Sequence, residues 1–258
     1  MSNVPSGEER EVRHLGSATI DGAPVAYVVA LAGVIAVLAF VPLSVVLGSG
    51  KSFPLSQSIY PLVGWLLGPV AGAVADGVGA LVGVFLAPHT SALPLATVIG
   101  ASMGGLAAGS MRTQSKRRGV LLSALFILAY ALYMGRAVLW NGAAPLAALA
   151  GSFINGSALI LFLLPTRETF ARWIGDAELS KVAVGLFAGT WMVSGLAHLC
   201  SSVVIYWVMN WPNEIWVAMG SLAPFEHLVR SLAGMVIGTG VIAGLRAVGV
   251  VKPPHALY

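Results

Sequence analysis

Apolar residues run through this chain in long blocks separated by short polar breaks, with no sustained alternation of the kind a half-buried strand shows. After a polar stretch over 1–24, the blocks occupy 26–47, 55–67, 69–87, 93–111, 119–139, 143–165, 182–209 and 222–249. About 20 apolar residues carry an α-helix across the hydrocarbon of a bilayer, so several of these blocks are long enough to span one. The stretch 55–87 is too long for one span and short for two. Gly68-Pro69 lies in its middle, where proline disfavours helical geometry at the residue before it, and this predicts a short helix followed by a full one. From Arg167 to Lys181 charges of both signs accompany Phe170, Trp173 and Ile174, a pattern that predicts a short helix lying at the membrane surface. The expected fold is all-α: a polytopic transmembrane bundle of six to eight helices over residues 25–250, with a polar tail at 1–24 and a short tail at 251–258.

Composition agrees with that pattern. Of 258 residues, 57% are hydrophobic and 9% charged, against about 25% charged in an ordinary soluble domain. So few charges cannot cover a water-soluble globule of this size, which excludes a soluble enzyme, a nucleic-acid binder and a secreted disulfide scaffold. The single cysteine, Cys200, can form no internal disulfide and supports no Cys/His metal cluster.

The placement of charge predicts a topology. With the N-terminus cytoplasmic and eight alternating segments, the tail, the link at 64–69, the loops at 112–118 and 166–181 and the C-terminus all face inward. These regions hold Arg10, Arg13, Arg112, Lys116, Arg117, Arg118, Arg167, Arg172, Lys181, Arg246 and Lys252, 11 of the 14 basic residues, as positive-inside bias requires. Seven segments would set Arg112 to Arg118 opposite the N-terminal arginines, against that bias. The expected location is the cell membrane, multi-pass, with both termini cytoplasmic.

Lipid gives no hydrophobic reward for helix association, so small residues that let backbones approach must supply it. Gly68, Gly72, Ala75, Gly79 and Gly83 recur at three- and four-residue spacing, and Gly100, Gly104 and Ala108 with Ala101, Gly105 and Gly109 repeat the device. Gly234 and Gly238, with Gly240 and Gly244, do so in the last block. In the first block Ala26, Ala30, Ala32 and Ala36 either pack internally in the same way or form a docking stripe for another membrane subunit.

Two motifs lack the context their chemistry needs. Gly48-Ser49-Gly50-Lys51-Ser52 resembles the end of a phosphate-binding loop, but the position five residues before Gly50 is Val45, and Phe53-Pro54 follows where a helix should open. Asn155-Gly156-Ser157 is a formal glycosylation acceptor inside an apolar block. Two polar side chains do stand out within the blocks. Asp76 among glycines and His198 in the seventh block are candidates by cost alone, since ionisable groups in a span are expensive; each also reads simply as an interhelical hydrogen-bond partner.

The predicted outer ends of the last two helices are richer. Trp207, Asn210, Trp211, Asn213, Glu214 and Trp216 lead to Glu226, His227 and Arg230, while Arg136, Trp140 and Asn141 close the fifth helix on the same side with Gln57, Ser58, Tyr60 and His89. Glu226 and Arg230 are spaced for a helical ion pair and tryptophans line membrane interfaces. Neither accounts for acids, amides and a histidine gathered on one side. Aromatic faces with a few polar groups suit a small, flat, polar ligand. The candidate ligand-binding residues are therefore Arg136, Trp140, Asn141, Trp207, Asn210, Trp211, Glu214, Glu226, His227 and Arg230. No paired-histidine metal motif and no nucleophile elbow occurs, so neither metal, cofactor nor enzymatic activity is expected.

The organisation resembles the S components of energy-coupling factor transporters, small membrane proteins that capture vitamins and similar micronutrients. The features that carry this are a polar N-terminus before an alanine-rich first helix, Pro42 and Pro54 in the loop after it, and Leu67-Gly68-Pro69-Val70-Ala71-Gly72-Ala73 with Asp76 a turn on. The Gly100–Gly109 helix before a basic loop and the ending from Pro224 through Arg230 to Leu245-Arg246 add to it. S components typically have six helices, whereas this pattern predicts two more within 119–209. The resemblance implies a substrate-binding subunit without ATPase activity, working with a transmembrane coupling subunit and two cytoplasmic ATPases. By that analogy Ala26, Ala30, Ala32 and Ala36 would face the coupling subunit, and the loop around Gly48 to Ser58 would open and close the pocket. A non-catalytic accessory subunit of a larger membrane complex is the alternative, and a membrane enzyme using Asp76 or His198 a third.

Overall fold

A computed structural model describes residues 18–46, 51–112 and 116–258, and the architecture is all-α apart from two small hairpins. Most of the predicted polar tail, together with Gly48, Ser49 and Gly50 of the phosphate-loop look-alike, lies outside the described residues. Strands β1 (Thr19–Ile20) and β2 (Ala23–Pro24) form a hairpin whose turn places Asp21 and Gly22 at positive φ.

Helix α1 covers only Val25–Leu38. Proline cannot donate to a continuing helix, and the chain leaves α1 ahead of Pro42 to form an antiparallel pair, β3 (Pro42–Val46) and β4 (Lys51–Pro54). A 3-10 turn, Leu55–Ser58, leads into the short helix α2 (Tyr60–Leu67). At Gly68, with φ at +90°, the chain reverses into α3 (Pro69–Leu86). That conformation suits glycine, and the predicted break falls there. After another 3-10 turn come α4 (Pro94–Gly109), α5 (Lys116–Gly135) continuing as a wider π turn over Arg136–Trp140, α6 (Pro145–Gly151) and α7 (Phe153–Leu163). Helix α8 (Thr166–Ile174) forms within the stretch expected at the membrane surface, followed by α9 (Leu179–Val208) and α10 (Asn213–Ala247).

The span count differs from the expectation of six to eight. Among the described residues four helices are long and apolar enough to cross a membrane: Pro69–Leu86, Arg117–Trp140, Leu179–Val208 and Asn213–Ala247. A fifth results if α6 and α7, bent by 67° at their junction, form one broken span. The other apolar blocks fold into shorter pieces: α1 and α4 are shorter apolar helices, α2 has eight residues, and the end of the first block is a hairpin. These helices are compatible with a membrane protein.

Small residues set the central packing. A Cβ built on Gly105 would lie 2.6 Å from the carbonyl carbon of Gly72 and 2.6 Å from Asp76 Oδ2, so α3 and α4 touch backbone to backbone. Gly79 meets Ile35 and the carbonyl of Ala32, and Gly83 meets Ala39, which seats α1 against α3. Gly234 and Gly238 pack against Thr190 and Leu186 of α9, whereas Gly240 and Gly244 face open space. Toward the far end of α5 and α9 a second core is aromatic. Tyr133, Tyr206, Trp211 and Trp216 meet at centroid distances of 5.1 to 6.5 Å, and Tyr206 and Trp211 are stacked at 28°.

The two ends of the bundle differ chemically. At one end Arg246 donates to the carbonyls of Asp176 (2.7 Å) and Ile174 (3.3 Å), and the segment after α10 folds back so that Leu257 N–H reaches the Trp65 carbonyl at 2.8 Å. Asp176 accepts the Glu178 N–H at 3.0 Å, and this bond, with Lys181 3.6 Å away, holds its carboxyl below the usual range. The β3–β4 hairpin, the π turn and the α9–α10 link occupy the opposite end.

Gly105→Val, which forces the α3–α4 contact apart, is expected to lower stability by ~3 kcal/mol or prevent folding, the upper range for overpacking. Gly240→Ala, in open space, should be neutral or slightly stabilising. Thermal unfolding of the purified variants in detergent checks both, and equal effects would refute the packing assignment.

Candidate functional site

Helix α2 rises only about 12 Å from Leu67 to Tyr60, and above it a cavity of about 450 Å³ opens between the β4 end, α4, α9 and α10. Phe53, Gln57 and Tyr60 line it from the hairpin side, and Thr90 to Leu93, Thr97, Gly100 and Ala101 from the start of α4. Ser194, Ala197, His198, Ser201, Ser202 and Ile205 contribute from α9. Met209 to Pro212 close the upper end, and Ile215, Met219, Leu222, Ala223, Glu226 and Arg230 descend along α10. From Ser194 to Ile205 the α9 wall alone is about 16 Å long, so the cavity is elongated.

The charged pair sits at the deep end. Arg230 is 2% exposed, its guanidinium carbon lies 4.4 Å from the centroid of the Phe53 ring, and its Nη2 stands 3.9 Å from Glu226 Oε2. That separation makes an ion pair without a direct hydrogen bond. Arg230 Nε and Nη2 have no hydrogen-bond partner, and the Ser194 hydroxyl has none either. His198 stands against the Phe53 ring edge at 6.5 Å and is tethered through Nδ1 to Asn155 Oδ1 at 3.0 Å, so the glycosylation look-alike serves as an α7–α9 link. His227 lies behind, its ring 5.3 Å from that of His198 and its Nδ1 3.0 Å from the Ala223 carbonyl oxygen.

A second cluster braces the upper end. The π turn presents Arg136, which donates to Asn141 Oδ1 and Asn210 Oδ1, both at 2.8 Å, while Asn141 Nδ2 donates to the Tyr206 hydroxyl at 2.8 Å. Trp140 and Trp207 flank the guanidinium at 5.4 and 5.2 Å and are 74% and 50% exposed. Arg136, Trp140, Asn141 and Trp207 therefore hold Asn210 from outside the cavity and do not line it.

Of the ten candidate ligand-binding residues, Asn210, Trp211, Glu226 and Arg230 meet at the cavity. Glu214 is exposed in the first turn of α10, and His227 is buried in the second layer. Asp76 is fully enclosed against Gly105 and does not line the cavity, and both its carboxyl oxygens lack a hydrogen-bond partner. The alanine stripe divides: Ala32 and Ala36 are buried, with α3 against them, and Ala26 and Ala30 are not. Lys51 stands in β4 and not at the start of a helix, which is the geometry a phosphate loop requires. The Tyr133–Tyr206 pair carries no signal along the chain, because an aromatic ring in an apolar block reads as core, and Phe53 falls in the break between the first two blocks, where nothing ties it to Arg230. Comparison with protein-family models, with curated proteins and with solved structures gives no match.

Arg136→Ala removes the charged hydrogen bonds to Asn210 and to Asn141 and leaves Asn210 only the 3.3 Å bond from Asn141 Nδ2; it should speed hydrogen exchange over residues 209–213 by about tenfold or more, each charged hydrogen bond being worth ~1.5–3 kcal/mol before solvent screening. Arg136→Lys should restore only part of the protection, since an ammonium cannot fork between two amides. Unchanged exchange in Arg136→Ala would show that the link is held otherwise.

Proposed function

We propose that this protein is the substrate-binding membrane subunit of a micronutrient uptake transporter of the energy-coupling factor type. It captures a small polar or aromatic molecule in the cavity between α4, α9 and α10. The observation that carries this reading is the cavity itself. Its size falls in the range of ligand pockets, its walls mix apolar with hydroxyl and imidazole side chains, and the Arg230–Glu226 ion pair lies at its deep end. It runs toward the end of the bundle opposite Arg246 and Arg172, where Met209 to Pro212 lie across it and which positive-inside bias assigns to the outside.

By the same resemblance the partners are a transmembrane coupling subunit and two cytoplasmic ATPases, met through the basic end and the small residues Ala26 and Ala30 of α1. An accessory role in another membrane complex predicts different companions and no dependence on the cavity.

Tagged protein solubilised mildly from its own membrane is expected to bring down one transmembrane subunit and two ATPases. Leu222→Trp, which fills the cavity, should abolish substrate uptake by the assembly while leaving these companions bound. Recovery with unrelated subunits, or full uptake by Leu222→Trp, would count for the accessory role.

A further inference from the structure

The cavity floor carries one full positive and one full negative charge on neighbouring turns of α10, both buried and both part of the lining. A buried guanidinium that served only the structure would be expected to have its N–H groups hydrogen-bonded, because a charge removed from water is otherwise poorly compensated. This pair stands at 3.9 Å, and Arg230 keeps Nε and Nη2 without hydrogen bonds while one face of its plane is occupied by Phe53. The ring immobilises the guanidinium and leaves its edge, the part that forks onto a carboxylate, for something else.

Charge balance narrows what that is. A bare anion on Arg230 would leave one net negative charge with Glu226 in an apolar enclosure, and a bare cation on Glu226 would leave one net positive charge with Arg230. A molecule bearing both charges a few ångströms apart leaves the floor neutral. We propose that the captured substrate is zwitterionic. Its carboxylate meets Arg230, its ammonium or protonated ring nitrogen meets Glu226, and an apolar or aromatic body extends along Ile205, Met219 and Leu222. The inference rests on the capture reading and adds the class of ligand.

Four compounds on one scaffold test it: free phenylalanine, phenylpropionate, phenethylamine and phenylpropanol carry both charges, the anion, the cation and neither. Binding to the purified protein is read by calorimetry and by the shift in thermal unfolding. Free phenylalanine should bind most tightly, by about tenfold or more over each singly charged analogue, the scale of a lost charge-assisted hydrogen bond. Because Arg230→Met alone strands Glu226 and can fail to fold, the double variant Glu226→Gln/Arg230→Met is measured beside it. This charge-free floor should erase the preference for the zwitterion. A singly charged or neutral analogue that binds as tightly as free phenylalanine, or a preference that survives in the double variant, overturns the proposal. If none of the four binds, the compound that co-purifies with the protein is released by denaturation and identified by mass spectrometry. A zwitterion supports the proposal, and a neutral or singly charged compound overturns it while leaving capture standing. Protein that carries nothing overturns the capture reading and the proposal with it.

Discussion

Everything else in this bundle is arranged around the closeness of α2, α3 and α4, where Gly64, Gly72 and Gly105 bring three backbones together. In lipid a buried leucine gains little over an exposed one, so helix contact has to come from dispersion at short range, and only the absence of side chains allows that range. The consequence is spatial. With α2 drawn into this contact and reversed at Gly68, it ends after eight residues at Tyr60. No helix occupies the space above it, so the cavity stands where the rest of a full-length α2 would otherwise have packed. The site is thus a product of how the helices are held, as much as of the side chains that line it.

That space is expensive to leave polar. Arg230 and Glu226 are both buried, and what holds the guanidinium inside the chain is a ring face and a loose ion pair. A core built for stability alone would be better served by apolar residues at both positions. The braced link at Asn210, held by a guanidinium on a π turn, points the same way, since π turns are seldom kept where a regular helix would serve.

The parts of the fold that depend on local backbone preferences could be read along the chain. The break at Gly68-Pro69 and the glycine faces of α3 and α4 follow from what proline forbids and what glycine permits, whatever surrounds them. The number of long helices could not be read, because hydropathy does not distinguish the strand Pro42–Val46 and the shorter apolar helices α1 and α4 from a longer helix. For the site, Glu226, Arg230 and Asn210 were legible as polar residues in apolar company. Their division from Arg136 and Trp140 was not, since which side of a wall a residue takes depends on how α5 and α9 rotate against each other. Phe53 shows the remaining gap: it is the ring that fixes Arg230, and it comes from a strand 177 positions earlier.

The unequal lengths of the helices have a further effect in a bilayer. At 1.5 Å per residue α10, much of it exposed, is about 52 Å long, beyond the roughly 30 Å of hydrocarbon, while α1, with Val29, Val34 and Val37 exposed, reaches only about 21 Å. In a membrane, lipids beside α10 would have to stretch unless that helix tilts, and lipids beside α1 would have to thin, at a cost of fractions of a kcal/mol per ångström. Unequal exposed helices of this kind favour neighbours that shield the short one, which makes bilayer thickness a variable for such a bundle.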